Sequence, residues 1–204
     1  MKIGVLAVQG DFSLHRKMLD ALSIENVAVR TPQELAECDG LILPGGESTT
    51  FYKLLEQNGL FSAIREFARE HVIFGTCAGL ITVARHLVNS KQPTLDLIDI
   101  SVERNAYGRQ IASFIDDIEV CLNGHTYNFE AVFIRAPLIR SVGAGVSVLS
   151  RHRDEIVMAE NERVLAATFH PELTDNTLIH RYFVSKVERA LASNPPQKKI
   201  SMPA

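Results

Sequence analysis

The stretch Val72-Ile73-Phe74-Gly75-Thr76-Cys77-Ala78-Gly79-Leu80 constrains the fold of this chain more than any other. An apolar run enters a G-x-C-x-G turn, and Ala78 to Val88 continues it with apolar residues at helical spacing. This is the thiol form of the nucleophile elbow, a sharp strand-to-helix turn that lifts one side chain above a sheet. The glycines on either side allow the close backbone approach and unusual dihedrals that such a turn needs. A strand must enter, a helix must leave and a sheet must lie beneath. Cys77 then falls at a helix N-terminus, where unpaired N–H groups and the helix dipole favour a thiolate. Covalent chemistry through sulfur is the first functional expectation.

The rest of the chain supplies such a sheet. Lys2–Gln9, Asn26–Arg30, Gly40–Leu43 and Val72–Phe74 read as strands, and Phe12–Ile24, Ser48–Asn58 and Leu60–Glu70 as helices. Thr31-Pro32-Gln33-Glu34 is a capping box, and Gly59 separates two helices as a C-terminal stop. This alternation predicts an α/β fold, a doubly wound, mostly parallel sheet flanked by helices. Ile100–Arg104, Ile115–Leu122, Tyr127–Arg135, Val146–Ser150, Glu155–Ala159 and Val164–Phe169 then read as strands joined by turns. Asn123-Gly124 is a hairpin signal between two of them, so antiparallel strands are expected at one edge. Asn176–Leu191 reads as a closing helix. A single domain is expected over residues 1–192, with a disordered tail over 193–204 that carries Pro195-Pro196 and Lys198-Lys199.

At 204 residues, with 46% hydrophobic and 22% charged residues, the chain suits one soluble domain with a full core. A net charge of −3 leaves no electrostatic footprint for nucleic acid. No apolar run approaches the roughly 20 residues a membrane-spanning helix needs. Lys2-Ile3-Gly4-Val5-Leu6 opens a strand rather than a leader. Cys38, Cys77 and Cys121 are too widely spaced for a disulfide framework or a metal cluster. A soluble, cytoplasmic protein without cofactor, metal, nucleic-acid or membrane partner is expected.

A catalytic thiol needs a base, and the base needs an orienting group. Of seven histidines, His170 ends a clear strand and is followed by Pro171-Glu172. Strand ends are where open α/β sheets bind ligands, and the proline lets Glu172 fold back toward the ring. Cys77, His170 and Glu172 are therefore the candidate triad. His15, His71, His86, His125, His152 and His180 are assigned surface or capping roles, and Cys38 and Cys121 small core positions. Pro44-Gly45-Gly46-Glu47-Ser48 lies between a strand and a helix, so its N–H groups are candidates for holding an oxyanion. Gln9 and Gly10, at the end of the first strand, are expected to shape that loop. A plain glycine turn or a phosphate cradle is the alternative, but the lysine and spacing of a P-loop are missing.

Gly-Thr-Cys-Ala-Gly-Leu, Pro-Gly-Gly-Glu-Ser-Thr-Thr and Phe-His-Pro-Glu-Leu-Thr together resemble the class I glutamine amidotransferases. Within these the chain looks most like the PdxT/SNO family, the glutaminase subunits of pyridoxal 5'-phosphate synthase. Val5-Leu6-Ala7-Val8-Gln9-Gly10, the string from Val102 to Gln110, and Val132-Phe133-Ile134-Arg135-Ala136-Pro137 agree with it. The resemblance runs from about Lys2 to about Leu191. It implies a flavodoxin-like fold, with Cys77 as nucleophile and His170 and Glu172 as its relay. It implies glutamine held by Gly46, Glu47, Ser48, Arg104, Ile134 and Arg135, and an oxyanion and activation loop of Gly45, Gly46, Ala78, Gln9 and Gly10. It further implies hydrolysis of glutamine to glutamate and ammonia through a thioester. The ammonia would pass to a separate (β/α)8-barrel synthase subunit, whose docking activates the glutaminase. Asp11-Phe12-Ser13-Leu14-His15-Arg16-Lys17 departs from the family's usual Arg-Glu-His, and none of the departures is expected to touch the triad. The alternatives are a cysteine hydrolase or glyoxalase of the DJ-1/PfpI type and a non-catalytic regulatory subunit.

Overall fold

The computed structural model describes residues 1–104 and 113–193. Strand β1 (Lys2–Leu6) is followed by helix α1 (Phe12–Ala21), β2 (Glu25–Val29) and the single turn α2 (Pro32–Leu35). Thr31 caps α2: its hydroxyl accepts from the Glu34 N–H while the Glu34 carboxylate accepts from the Thr31 N–H, the predicted capping box. Strand β3 (Gly40–Leu43) leads to α3 (Ser48–Gln57) and α4 (Leu60–Phe67), divided at Gly59 with φ of 67°. Strand β4 (Val72–Thr76) enters the elbow and α5 (Ala78–Val83) leaves it.

The apolar strands sort into one parallel sheet in the order β2-β1-β3-β4-β12, the last being Val164–Ala167. The topological switch lies where β1 and β3 run side by side, and there Gln9-Gly10 and Gly45–Ser48 meet. Each face carries its own core. Leu6, Leu41, Leu43, Ile73 and Ala166 pack against Leu35, Phe51, Leu55, Leu60 and Ile64 of α2, α3 and α4. Ile3, Val5, Ile42, Phe74 and Leu165 pack against Leu19 of α1 and Ile179, Phe183 and Val187 of α6 (Leu178–Ser193). Period-two alternation on these strands thus feeds two helical layers.

Beyond β12 the sheet turns antiparallel, as expected, except where Ala84–Val88 and Ile98–Glu103 pair in parallel at the end of a side branch. Strand β11 (Glu155–Glu160) pairs with β12 and with β10 (Ser147–His152), which continues to β7 (Ser113–Leu122) and β8 (His125–Ile134). A side branch runs from β11 through β9 (Leu138–Val142) to β6 (Ile98–Glu103) and β5 (Ala84–Val88). Two of these strands differ from the sequence reading. The helix predicted over 78–88 stops at Val83, because Ile81, Thr82 and Val83 include weak, β-branched helix formers. The N–H groups of Leu95 and Leu97 then take the Thr82 and Val83 carbonyls, and Ala84 turns extended at φ −60°, ψ 152°. Strand β9 was hidden by Pro137 before it and the charge of Arg140 within it.

Cys38 is buried as expected, but Cys121 is exposed, because β7 alternates and Val120 and Leu122 face the core instead. Ser193 is the last residue of α6 and not the first of a tail; residues 194–204 lie outside the described residues. So does the string from Asn105 to Gln110. Among the described residues no helix is long and apolar enough to cross a membrane.

Candidate active site

Cys77 occupies a backbone conformation that only a rigid surrounding maintains, φ 47° and ψ −103°. The surrounding is visible. Its N–H donates to the Ala167 carbonyl at 2.9 Å, tying the elbow to β12, and a Cβ on Gly79 would meet the Leu43 carbonyl oxygen at 2.0 Å. The elbow therefore closes only with glycine at that position. Cys77 is 7% exposed, and that exposure opens into a cleft of about 320 Å³. Its Sγ lies 3.9 Å from the Ile134 carbonyl oxygen.

His170 follows β12 and is anchored by its N–H to the Val132 carbonyl of β8 at 2.8 Å. Pro171–Leu173 then forms a 3-10 turn that brings Glu172 back under the ring, with Nδ1 and Oε1 2.7 Å apart. Both side chains are buried, the ring at the edge of the cleft and the carboxylate behind it. Burial alone would lower the His170 pKa. The hydrogen bonds to the Cys77 sulfur and to the Glu172 carboxylate overcome it and hold the imidazole protonated well above its ordinary range. Burial would likewise raise the Glu172 pKa, yet the two imidazoles that face it, His15 and His170, keep this carboxylate ionised far below its usual range. The fold thus brings together Cys77, His170 and Glu172, the three residues of the candidate triad.

The cleft is lined by Asp11, Gly46, Glu47, Ser48, Cys77, Ile81, Arg104, Ile134, Arg135 and His170. All the residues that the resemblance assigns to glutamine lie on this wall. Of the expected loop, Gly45, Gln9, Gly10 and Ala78 stand just behind it. A Cβ on Gly45 would meet His170 Cε1 at 2.3 Å, so the loop rests directly on the imidazole. Gln9 Nε2 donates to the Glu47 carbonyl at 2.8 Å and fixes the loop from below. Glu47 caps α3 by accepting from the Thr49 and Thr50 N–H groups. Partial burial works against its charge, but these hydrogen bonds bring its pKa down to about 2. Arg104 is steered by Gln92 Oε1 at 2.8 Å and Thr49 Oγ1 at 3.2 Å, with the Glu47 carboxylate 3.6 Å away. One cleft therefore brings a guanidinium and a carboxylate together with the Cys77 sulfur and the His170 imidazole.

Three histidines contradict their predicted surface roles. His152 is buried beside Asp116 at 2.8 Å, and His15 and His180 are fully buried. His15 Nε2 lies 3.3 Å from Glu172 Oε2 and 3.3 Å from Thr76 Oγ1, and its Nδ1 lies 2.9 Å from His180 Nε2. The departing segment after Gly10 therefore does touch the triad, through His15, and lines the cleft through Asp11. A local signal existed: His15 falls on the stripe of Met18 and Leu19, and His180 on that of Phe183, Val184 and Val187. Gln92 and Thr49, also missed, have no such pattern.

A family profile described as the SNO glutamine amidotransferase family matches residues 5–189. The chain belongs to the SNO glutamine amidotransferase family. It is 51% identical over 191 residues to the pyridoxal 5'-phosphate synthase subunit PdxT of Pelotomaculum thermopropionicum, covering 93% of this chain and 97% of that one. The PdxT subunit of Oenococcus oeni is 50% identical over 184 residues, 90% of this chain and 95% of its own. A solved structure of a glutamine amidotransferase superposes with a TM-score of 0.86 at 45% identity, covering 91% of this chain and 98% of that one.

Proposed function

We propose that the chain is the glutaminase subunit of a pyridoxal 5'-phosphate synthase and works as one domain. The observation that carries this reading is the relay of Cys77, His170 and Glu172 at a cleft that Arg104 and Glu47 also line. Free glutamine brings a carboxylate and an ammonium beside its reacting amide, so a guanidinium and a carboxylate suit its head group. The thiolate attacks the side-chain amide carbon, and His170 gives its proton to the departing ammonia. Water, deprotonated by His170, then attacks the thioester and releases glutamate. Donors from the Gly45–Gly46 loop and the Ala78 N–H hold the oxyanion in both halves.

Relatives named as synthase subunits support delivery of the ammonia to another polypeptide, which we take to be a (β/α)8-barrel synthase subunit. The loop that rests on His170 and is pinned by Gln9 is the element docking would adjust. The test is ammonia release from glutamine by the chain alone, by the chain with the barrel subunit, and by Cys77→Ala with the barrel subunit. Release that rises on mixing and vanishes in Cys77→Ala is expected. No release from the mixture would overturn the glutaminase reading, and equal turnover alone and mixed would overturn activation by docking.

A further inference from the structure

The triad uses one oxygen of Glu172 and leaves the other, Oε2, in the interior with no well-aligned hydrogen bond among the described residues. A carboxylate held by one oxygen can still turn about its last bond, and with it the imidazole it orients. The group that faces Oε2 is His15 Nε2, 3.3 Å away on α1. Behind it stands His180 of α6, whose Nε2 lies 2.9 Å from His15 Nδ1. Neither histidine is used by the chemistry above. Both are fully buried, with the edge or face of Phe74 against each ring at 6.3 and 6.0 Å.

We propose that His15 is a positioning residue for the triad: its Nε2–H holds the second oxygen of Glu172, and His180 locks that tautomer by donating to His15 Nδ1. The proposal rests on the glutaminase reading of Cys77, His170 and Glu172. The hydrogen positions follow from charge. A neutral imidazole carries one hydrogen, and if it sat on His15 Nδ1, a lone pair would face an ionised carboxylate at 3.3 Å. The same choice would leave a buried N–H on His180 Nδ1, which has no partner among the described residues. Placing hydrogens on Nε2 of both rings removes the repulsion and leaves one bare lone pair. His15 then donates to Glu172, sharing its hydrogen with Thr76 Oγ1, the residue just before the nucleophile. The other titratable and charged groups at this end of the sheet are His170 on the far side of Glu172, Cys77 beyond it, and Asp11, Glu47, Arg104 and Arg135 at the cleft wall. Second contacts of this kind fix the direction of a catalytic group without touching substrate.

The test uses wild type, His15→Phe and His15→Gln, each mixed with the synthase subunit. Phenylalanine removes the donor, and glutamine returns an N–H near the Nε2 position. We expect kcat for ammonia release to fall by about tenfold to a hundredfold in His15→Phe, the worth of one hydrogen bond to a charged group, with KM unchanged. His15→Gln should recover most of that loss. Alkylation of Cys77 by iodoacetamide, followed against pH, should reach half its maximal rate at higher pH in His15→Phe than in wild type. Wild-type kcat and an unshifted alkylation profile in a folded His15→Phe would overturn the proposal, as would equal losses in both variants with unshifted profiles. Where His15→Phe does not fold, long-range proton–nitrogen spectra of the wild type decide: hydrogen on His15 Nε2 alone supports the proposal, and hydrogen on Nδ1 ends it. The alkylation and spectroscopic arms need no glutamine, so they stand even if the wild-type mixture releases no ammonia.

Discussion

Glu172 shows how much a single buried side chain can be asked to do. It is 3% exposed, yet it is held ionised by imidazoles on two sides, and its charge in turn keeps His170 protonated beside the thiol. Replacing it by glutamine keeps the shape and an acceptor for His170 Nδ1 but removes the charge. Because Glu172 does not line the cleft, substrate binding should survive. Glu172→Gln should therefore lower kcat by roughly 10²–10⁴ with little change in KM, the range seen when the orienting acid of a catalytic triad loses its charge. Steady-state ammonia release with the synthase subunit reads both parameters, and a kcat within a few-fold of wild type would remove Glu172 from the relay. This residue was legible because its meaning is local: a strand end, a histidine, a proline and an acid in succession. For His15 and His180 the sequence carries only their place on the apolar stripes of two helices; their meeting with each other and with Glu172, across 165 positions, has no local signal.

Strands β7 and β8 form the longest pairing in the sheet, ten residues against ten from Ser113↔Ile134 to Leu122↔His125. The register matters to the site, because β8 ends at Ile134, whose carbonyl approaches the Cys77 sulfur. It is set by Asn123 and Gly124, both at positive φ, 51° and 79°, which gives a turn whose twist matches that of the strands. A Cβ at Gly124 would meet nothing within 4 Å, so an alanine there carries only the left-handed backbone penalty. Gly124→Ala should destabilise the protein by about 1–2 kcal/mol without altering glutaminase kinetics. Urea unfolding monitored by circular dichroism measures the first and the ammonia assay the second; an unchanged midpoint would show that this turn does not set the register. Hairpins and parallel strands of this kind are legible because turn residues and apolar runs are short-range signals. Strand β5 was not, because Ala84–Val88 is extended only by virtue of β6 and of the Leu95 and Leu97 N–H groups, which arrive from later in the chain.

At the scale of the whole molecule, α1 and α6 on one face of the sheet and the loop after β3 converge on the same strand ends, and the stability of the fold must sustain what they hold there. That includes strained Cys77 and Arg135, at φ 47° and 42°, and buried titratable groups whose protonation is fixed by packing. Two of these groups give the stability a direction in pH. Burial first, and then the neighbouring His15, lower the His180 pKa from 6.5 to about 3 against the opposing pull of Glu172. Glu172 is also depressed from 4.5. As pH falls through 6.5 the unfolded chain binds a proton at His180 that the native state refuses, and below 4.5 it binds another at Glu172. Stability contributed by both is thus present above those values and lost as pH falls toward the folded ones. His170 runs the other way: raised from 6.5 to about 10, its contribution is complete below pH 6.5 and is lost only as pH climbs through the folded value. Each proton bound only by the unfolded chain changes the unfolding free energy by about 1.4 kcal/mol per pH unit. Denaturant titrations at pH 6.0, 5.5, 5.0 and 4.5 should show stability falling with acid. In His180→Leu the slope over that interval should be smaller by about one proton, because every other titrating group is common to both proteins. Equal slopes in the two would mean that the native interior accepts the proton at His180, and the neutral imidazole behind the triad would have to be abandoned.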